Sequence, residues 1–147
     1  MIGAFKYHGK TRLARPLANL FLEGIPALPR LDGIVAVPLH QGRLRDRTYN
    51  QSLLLATQIG RALNLDLLHH TLIKTMETPP QTGLTRAARL KNLRNAFSVN
   101  HPDRIRGKRL LLIDDVLTTG TTINESSRVL HKHGAQCVYV GTLARMV

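Results

Sequence analysis

An α/β fold, with a mostly parallel sheet and helices on both of its faces, is what the 147 residues predict, and three observations carry the prediction. Two short runs, Gly33 to Pro38 and Arg109 to Ile113, are apolar without alternation, the pattern of parallel strands buried on both faces. From Gln51 onward, Leu54, Leu55, Ile59, Ala62 and Leu63 recur at helical spacing. A second helical stretch, Thr122 to His133, leads into a closing apolar run, Gln136 to Leu143. Strands that alternate with helices imply crossover connections, and ligands of such sheets bind at the carboxyl ends of the strands.

The elements follow in order. Gly33 to Pro38 is β-branched and stopped by proline, and it feeds a loop from Leu39 to Tyr49. The helix from Gln51 and a strand at Leu65 to Leu68 complete a βαβ unit. Met76 to Thr85 contains Pro79-Pro80 and Gly83, which no regular element accommodates, so it is a loop. The basic stretch Arg86 to Arg94 is helical after it. Thr122 and Glu125 form a T-x-x-E capping box at the start of the last helix, and Gly134 stands where a left-handed cap ends it. There is no internal repeat, and the length suits one domain, residues 1–147.

With 43% apolar and 20% charged residues the chain is neither disorder-like nor membrane-like. The amino terminus has no signal-peptide core and no stretch is long enough to span a membrane. The single cysteine, Cys137, lies in an apolar run, where a buried thiol is expected, and it can build neither a disulfide nor a zinc site. A cytoplasmic location fits that usage. His40, His69, His70, His101, His131 and His133 show no zinc spacing with Cys137. Lys and Arg number 21 against 9 Asp and Glu, a formal charge of +12 that draws a small domain towards polyanions. The cations bunch at Arg43, Arg45 and Arg47, at Arg86, Arg89, Lys91 and Arg94, and at Arg104, Arg106, Lys108 and Arg109. Any one bunch is equally well explained as a solvated surface.

The chemistry concentrates between Leu110 and Thr122, the stretch LLLIDDVLTTGTT. An apolar strand ends in two carboxylates, Asp114 and Asp115. A tight loop of threonines around Gly120 comes next, and a helix then begins. Backbone N–H groups in such a loop, the threonine hydroxyls and the positive helix end make a socket for a phosphate dianion. The carboxylates cannot bind that phosphate. They suit hydroxyl groups or Mg²⁺-bound water, and alternation along the strand keeps both from pointing into the sheet's interior. A ribose 5-phosphate offers both kinds of partner. Neither G-x-x-x-x-G-K-[ST] nor G-x-G-x-x-G occurs, which removes the nucleoside-triphosphatase and dinucleotide readings.

This stretch matches the diphosphate-sugar binding signature of type I phosphoribosyltransferases. The resemblance implies their fold, with 5-phosphoribosyl-1-diphosphate as ligand and Mg²⁺ as cofactor. Asp114 and Asp115, in the catalytic and metal-binding positions, would take the ribose hydroxyls and Mg²⁺, directly or through water. Thr118, Thr119, Gly120, Thr121 and Thr122 would enclose the 5-phosphate, and Val116 would belong to the same donor-binding set. Val37-Pro38-Leu39 with Arg43, Arg45, Arg47, Asn50 and Gln51 resembles the ComF family after its first strand. Pro80 to Leu84 with Arg89, Asn92, Ala96 and Phe97 resembles that family's second block. Leu39, His40, Arg43 and Arg89 would then face the diphosphate, and Leu39 to Arg47 and Thr75 to Arg89 would be the pyrophosphate loop and the closing loop. Tyr49, Gln51 and Gln81 are candidates for holding a second ligand.

ComF proteins commonly begin with a cysteine-rich zinc module. This chain starts near the family's segment Phe5 to Gly9, so a reduced hood is expected. Two functions stay open. One is transfer of phosphoribose to a nitrogen nucleophile with loss of pyrophosphate. The other is a non-catalytic DNA-handling role of the kind linked to competence, with single-stranded DNA as partner. A homodimer is compatible with either. Against the DNA role stands the 4% aromatic content, which stocks base-stacking platforms poorly.

Overall fold

A computed structural model describes residues 11–39, 50–75, 85–117 and 119–145. A short 3₁₀ turn leads into α1 (Ala14–Gly24), followed by β1 (Gly33–Ala36), α2 (Gln51–Leu63) and β2 (Leu72–Lys74). Then come α3 (Arg86–Leu93), β3 (Phe97–Val99), β4 (Arg109–Leu117), α4 (Thr121–Lys132) and β5 (Cys137–Arg145). The main sheet has the order β1-β4-β5 and both of its pairings are parallel. Its register sets Gly33 beside Leu110 and Ile113 beside Gly141.

β4 is the centre of the packing, and alternation along it separates two cores. Leu111 and Ile113 join Ile34 in a layer with Leu17 and Phe21 of α1 and Leu55 and Ile59 of α2. Leu110 and Leu112 face the other way, into Ile123, Val129 and Leu130 of α4, Leu93 of α3 and Phe97 and Val99 of β3. All four β4 residues are at most 2% exposed, which is why the run carries no polar alternation. On one side Gly141 is what lets α1 approach: a Cβ there would lie 2.7 Å from Phe21 Cζ and 3.0 Å from Ile113 Cδ1.

Several expectations need correction. Leu65 to Leu68 is no strand; it meets β1 through a single parallel bridge between Ile34 and Leu67. Asn64 ends α2 in the left-handed region and His70 turns the chain again at φ 57°, leaving no room for a longer ladder. The next extended segment, β2, pairs antiparallel with β3. β4 runs on to Leu117 instead of stopping at Ile113, because β5 continues the ladder past Asp114 to Leu117. The helix α1 was not anticipated, although Ala14, Leu17, Ala18 and Phe21 stand at helical spacing; Pro16, harmless in a first turn, hides it.

The capping box is also absent. α4 starts one residue early, at Thr121, with Gly120 as its cap, so Thr122 is already inside the helix. Glu125 instead receives Arg128 on both carboxylate oxygens, at 3.0 and 2.6 Å, in a forked pair. Gly134 does end the helix at φ 106° as expected, and Cys137 is free but half-buried instead of buried. Among the described residues no helix is long and apolar enough to cross a membrane.

Candidate functional site

The carboxyl ends of β1 and β4 meet the amino ends of α2 and α4, and the site is built from that meeting. Asn50 closes α2: its Oδ1 accepts the Leu53 N–H (3.2 Å) while its Nδ2 donates to the Val37 carbonyl (3.2 Å). The helix is thereby pinned to the end of β1. One turn position later the Ser52 hydroxyl, 5% exposed, donates to Asp114 Oδ1 at 3.1 Å.

Asp114 Oδ1 also accepts the Asp115 N–H (2.9 Å), and Asp115 Oδ1 accepts the Val116 N–H (3.0 Å). Both carboxyls are half-buried, and among the described residues no cationic side chain pairs with either. Burial first, and then the adjacent Asp115 charge, push the Asp114 carboxyl up to about 7, while the Ser52 hydrogen bond works in the opposite direction. Within the described residues the pair has no positive partner.

Beyond β4 the loop turns on Gly120, at φ 80° and ψ 0°, a conformation that a side chain resists. Thr119 is exposed and Thr121 is 7% exposed, yet their hydroxyl oxygens lie 2.8 Å apart. Asn124 N–H returns to the Gly120 carbonyl at 2.8 Å, so the amide hydrogens of the first helical turn ahead of it have no partner within the helix. Among the described residues no side chain caps them. Such an end accepts an anion.

The structure therefore brings Asp114, Asp115, Val116, Thr119, Gly120, Thr121 and Thr122 to one edge. Leu39 sits half-buried just past β1, by the same edge. Thr118, His40, Arg43, Arg45, Arg47, Tyr49 and Gln81 lie outside the described residues, as do the segment Phe5 to Gly9 and most of the expected closing loop. Arg89 falls on α3, but its side chain is likewise outside the description. Gln51 is buried at the start of α2. Sequence reasoning missed Ser52. The signal was its place two residues after a capping asparagine, in a helix that a βαβ unit aims at the strand ends.

The described histidines, cysteine and carboxylates include no group of three or more that could hold a metal. A cation here would need oxygens from a ligand or water besides the two aspartates.

A phosphoribosyl transferase domain model matches residues 51–146. The chain is 35% identical to competence protein F of Haemophilus influenzae over 99% of its own length and 66% of that protein. It is 33% identical to the DNA utilization protein YhgH of Escherichia coli, again over 99% of this chain and 66% of that one. The chain thus spans 66% of the length of these relatives. Among solved structures, it superposes on 90% of its length with the glutamine phosphoribosylpyrophosphate amidotransferase of B. subtilis, covering 26% of that chain (TM-score 0.62, 19% identity). Adenine phosphoribosyltransferase of Thermoanaerobacter pseudethanolicus matches 95% of this chain and 83% of its own (TM-score 0.57, 15% identity). At such identities the likeness is one of fold, and the fold is that of the type I phosphoribosyltransferases. With a family model over residues 51–146 and relatives aligned from end to end of the chain, this protein belongs to the phosphoribosyl transferase domain family, in its ComF branch.

Proposed function

We propose that the chain binds 5-phosphoribosyl-1-diphosphate together with Mg²⁺ at the carboxyl edge of β4. The observation that carries this reading is one juxtaposition. Two adjacent carboxylates, one of them held by Ser52 and neither paired with a cation among the described residues, stand directly before the glycine-led amino end of α4. The 5-phosphate takes the free amide hydrogens and hydroxyls of Thr119 to Thr122. Asp114 and Asp115 take the ribose hydroxyls. Mg²⁺ suits two adjacent carboxylates that have no cationic partner among the described residues, and when bound it would supply positive charge beside the departing diphosphate. Asp114 and Asp115 would hold it together with oxygens of the ligand or of water, since two carboxylates are too few to cage it alone. A cytoplasmic setting goes with this reading.

Calorimetric titration of the donor with and without Mg²⁺, on the parent and on an Asp114→Asn/Asp115→Asn variant, tests it. The expected result is Mg²⁺-dependent binding that the double variant loses. A folded parent that gives no heat with the donor refutes the reading. Release of pyrophosphate above the blank rate with a nucleobase present would add transfer chemistry to binding.

A second reading is a DNA-handling role. It is supported by the +12 charge and by relatives named for competence and DNA utilization. Electrostatic DNA binding weakens steeply with salt, so absence of binding at low salt would end it.

A further inference from the structure

The basic bunch Arg104 to Arg109 has no part in the donor site, because it lies at the opposite ends of the strands. At about 3.3 Å per residue, Arg109 and Asp114 stand roughly 17 Å apart along β4. The fold gathers other segments around that bunch. Asp32 Oδ2 accepts the Arg109 N–H at 2.8 Å and its Nε–H at 3.5 Å, which commits that carboxylate to Arg109, and Arg30 lies close enough to help hold its pKa down. Arg104 Nη1 donates to the His69 carbonyl (3.2 Å) and so borders the His69-His70 turn. Gly107 N–H donates to the Gly134 carbonyl (2.8 Å), and a Cβ on Gly134 would lie 3.4 Å from Arg106 Cγ, so the end of α4 with Lys132 joins the same edge.

Arg30, Arg104, Arg106 and Lys132 are exposed there and Lys108 is half-buried, while the exposed acids on these segments are Asp66 and Asp103. The cations therefore outnumber the uncommitted carboxylates. Beside Arg104 the exposed His69 and His70 rings stack on one another, with centroids 3.8 Å apart and planes inclined by 22°.

We infer that this amino-terminal edge of the sheet is a contact surface for single-stranded DNA, separate from the donor site. Its guanidinium and ammonium groups meet backbone phosphates, and the His69-His70 pair offers flat rings to bases that a duplex keeps stacked inside. The inference rests on the DNA-handling reading and adds where the strand lies. Because the two sites sit at opposite strand ends, donor and DNA bind together without competing.

The test is fluorescence anisotropy of a labelled single-stranded oligonucleotide and of the duplex of the same sequence, across a salt series. It compares the parent with R30A/R104A/R106A, with the charge-conserving R30K/R104K/R106K and with H69A/H70A. The expected results are tighter binding of the single strand than of the duplex, and a loss of roughly tenfold or more in the alanine triple variant. Its salt slope should fall by about 2, the share of three phosphates. The lysine variant retains binding, H69A/H70A narrows the preference for the single strand, and saturating donor leaves the parent's curve unchanged. All variants should melt with the parent. A parent that binds while the folded alanine variant binds equally well overturns the location, as does displacement of DNA by donor. Equal affinity for the duplex overturns the single-strand assignment. A parent that binds no DNA at low salt ends the DNA-handling reading itself and leaves the donor titration standing.

Discussion

Ser52 and Asp114, 62 residues apart in the chain, are joined by a hydroxyl-to-carboxylate hydrogen bond of 3.1 Å that ties the first turn of α2 to the end of β4. The bond favours the ionised carboxyl, and it is one of few such influences on a group that burial and Asp115 push up to about 7. Ser52→Ala should therefore move the Asp114 titration to higher pH. Carboxyl-carbon NMR of Asp114 would read the shift directly. A midpoint unchanged or lower in the variant would mean that Ser52 is not the donor. Loss of the bond should also cost about 1 kcal/mol of stability near neutral pH.

The raised pKa has a defined effect on folding. Asp114 titrates from 3.8 in the unfolded chain to about 7 in the folded one, so the folded state holds the proton more tightly. Its contribution to stability is present at acid pH, is lost as pH rises through this interval, and is gone above about 7. Asp114→Asn, which keeps the volume and removes the charge, should thus melt higher than the parent at pH 8 without Mg²⁺. The gap, on the order of a few kcal/mol at most, should close towards pH 4. Equal melting temperatures at pH 8 would contradict the burial of this charge.

Gly120→Ala tests the loop. There is space for a methyl group, with Leu117 Cδ1 at 3.7 Å and Asn124 Nδ2 at 3.8 Å, so the penalty comes from φ 80° alone. About 1 kcal/mol of stability should be lost. If the amide hydrogens it positions hold the phosphate, donor affinity should fall by a larger factor than stability accounts for. Calorimetry beside thermal melting separates the two.

Gly141→Ala probes a different cause, steric contact. Its Cβ would press on Phe21 and Ile113 in a filled core, which typically costs 1 to 3 kcal/mol, so about that loss is expected in a denaturant midpoint. Combining it with Phe21→Leu should recover part of the loss, a coupling that a double-mutant cycle measures. Simple additivity would place the strain elsewhere.

Local order carried much of the reading. The apolar run into Asp114-Asp115, the threonines around Gly120 and the helix after them are contiguous in the chain, so the residues of the proposed site could be named from their spacing. β1, α2, α4 and β5 were likewise legible, because burial on both faces leaves an unbroken apolar strand and burial on one leaves a helical stripe. Tertiary packing decided the rest. Whether Leu65 to Leu68 or Leu72 to Lys74 became a strand depended on which partner each could reach, and ladder pairing is not written in a three- or four-residue window. Glu125 turned from the helix cap to Arg128 because Gly120 started the helix a residue early. Ser52 reached Asp114, and Arg104 reached His69, only because parallel strands bring distant segments to the same edge of one sheet. Pattern along the chain names the candidate groups; the crossing of the strands determines which of them meet.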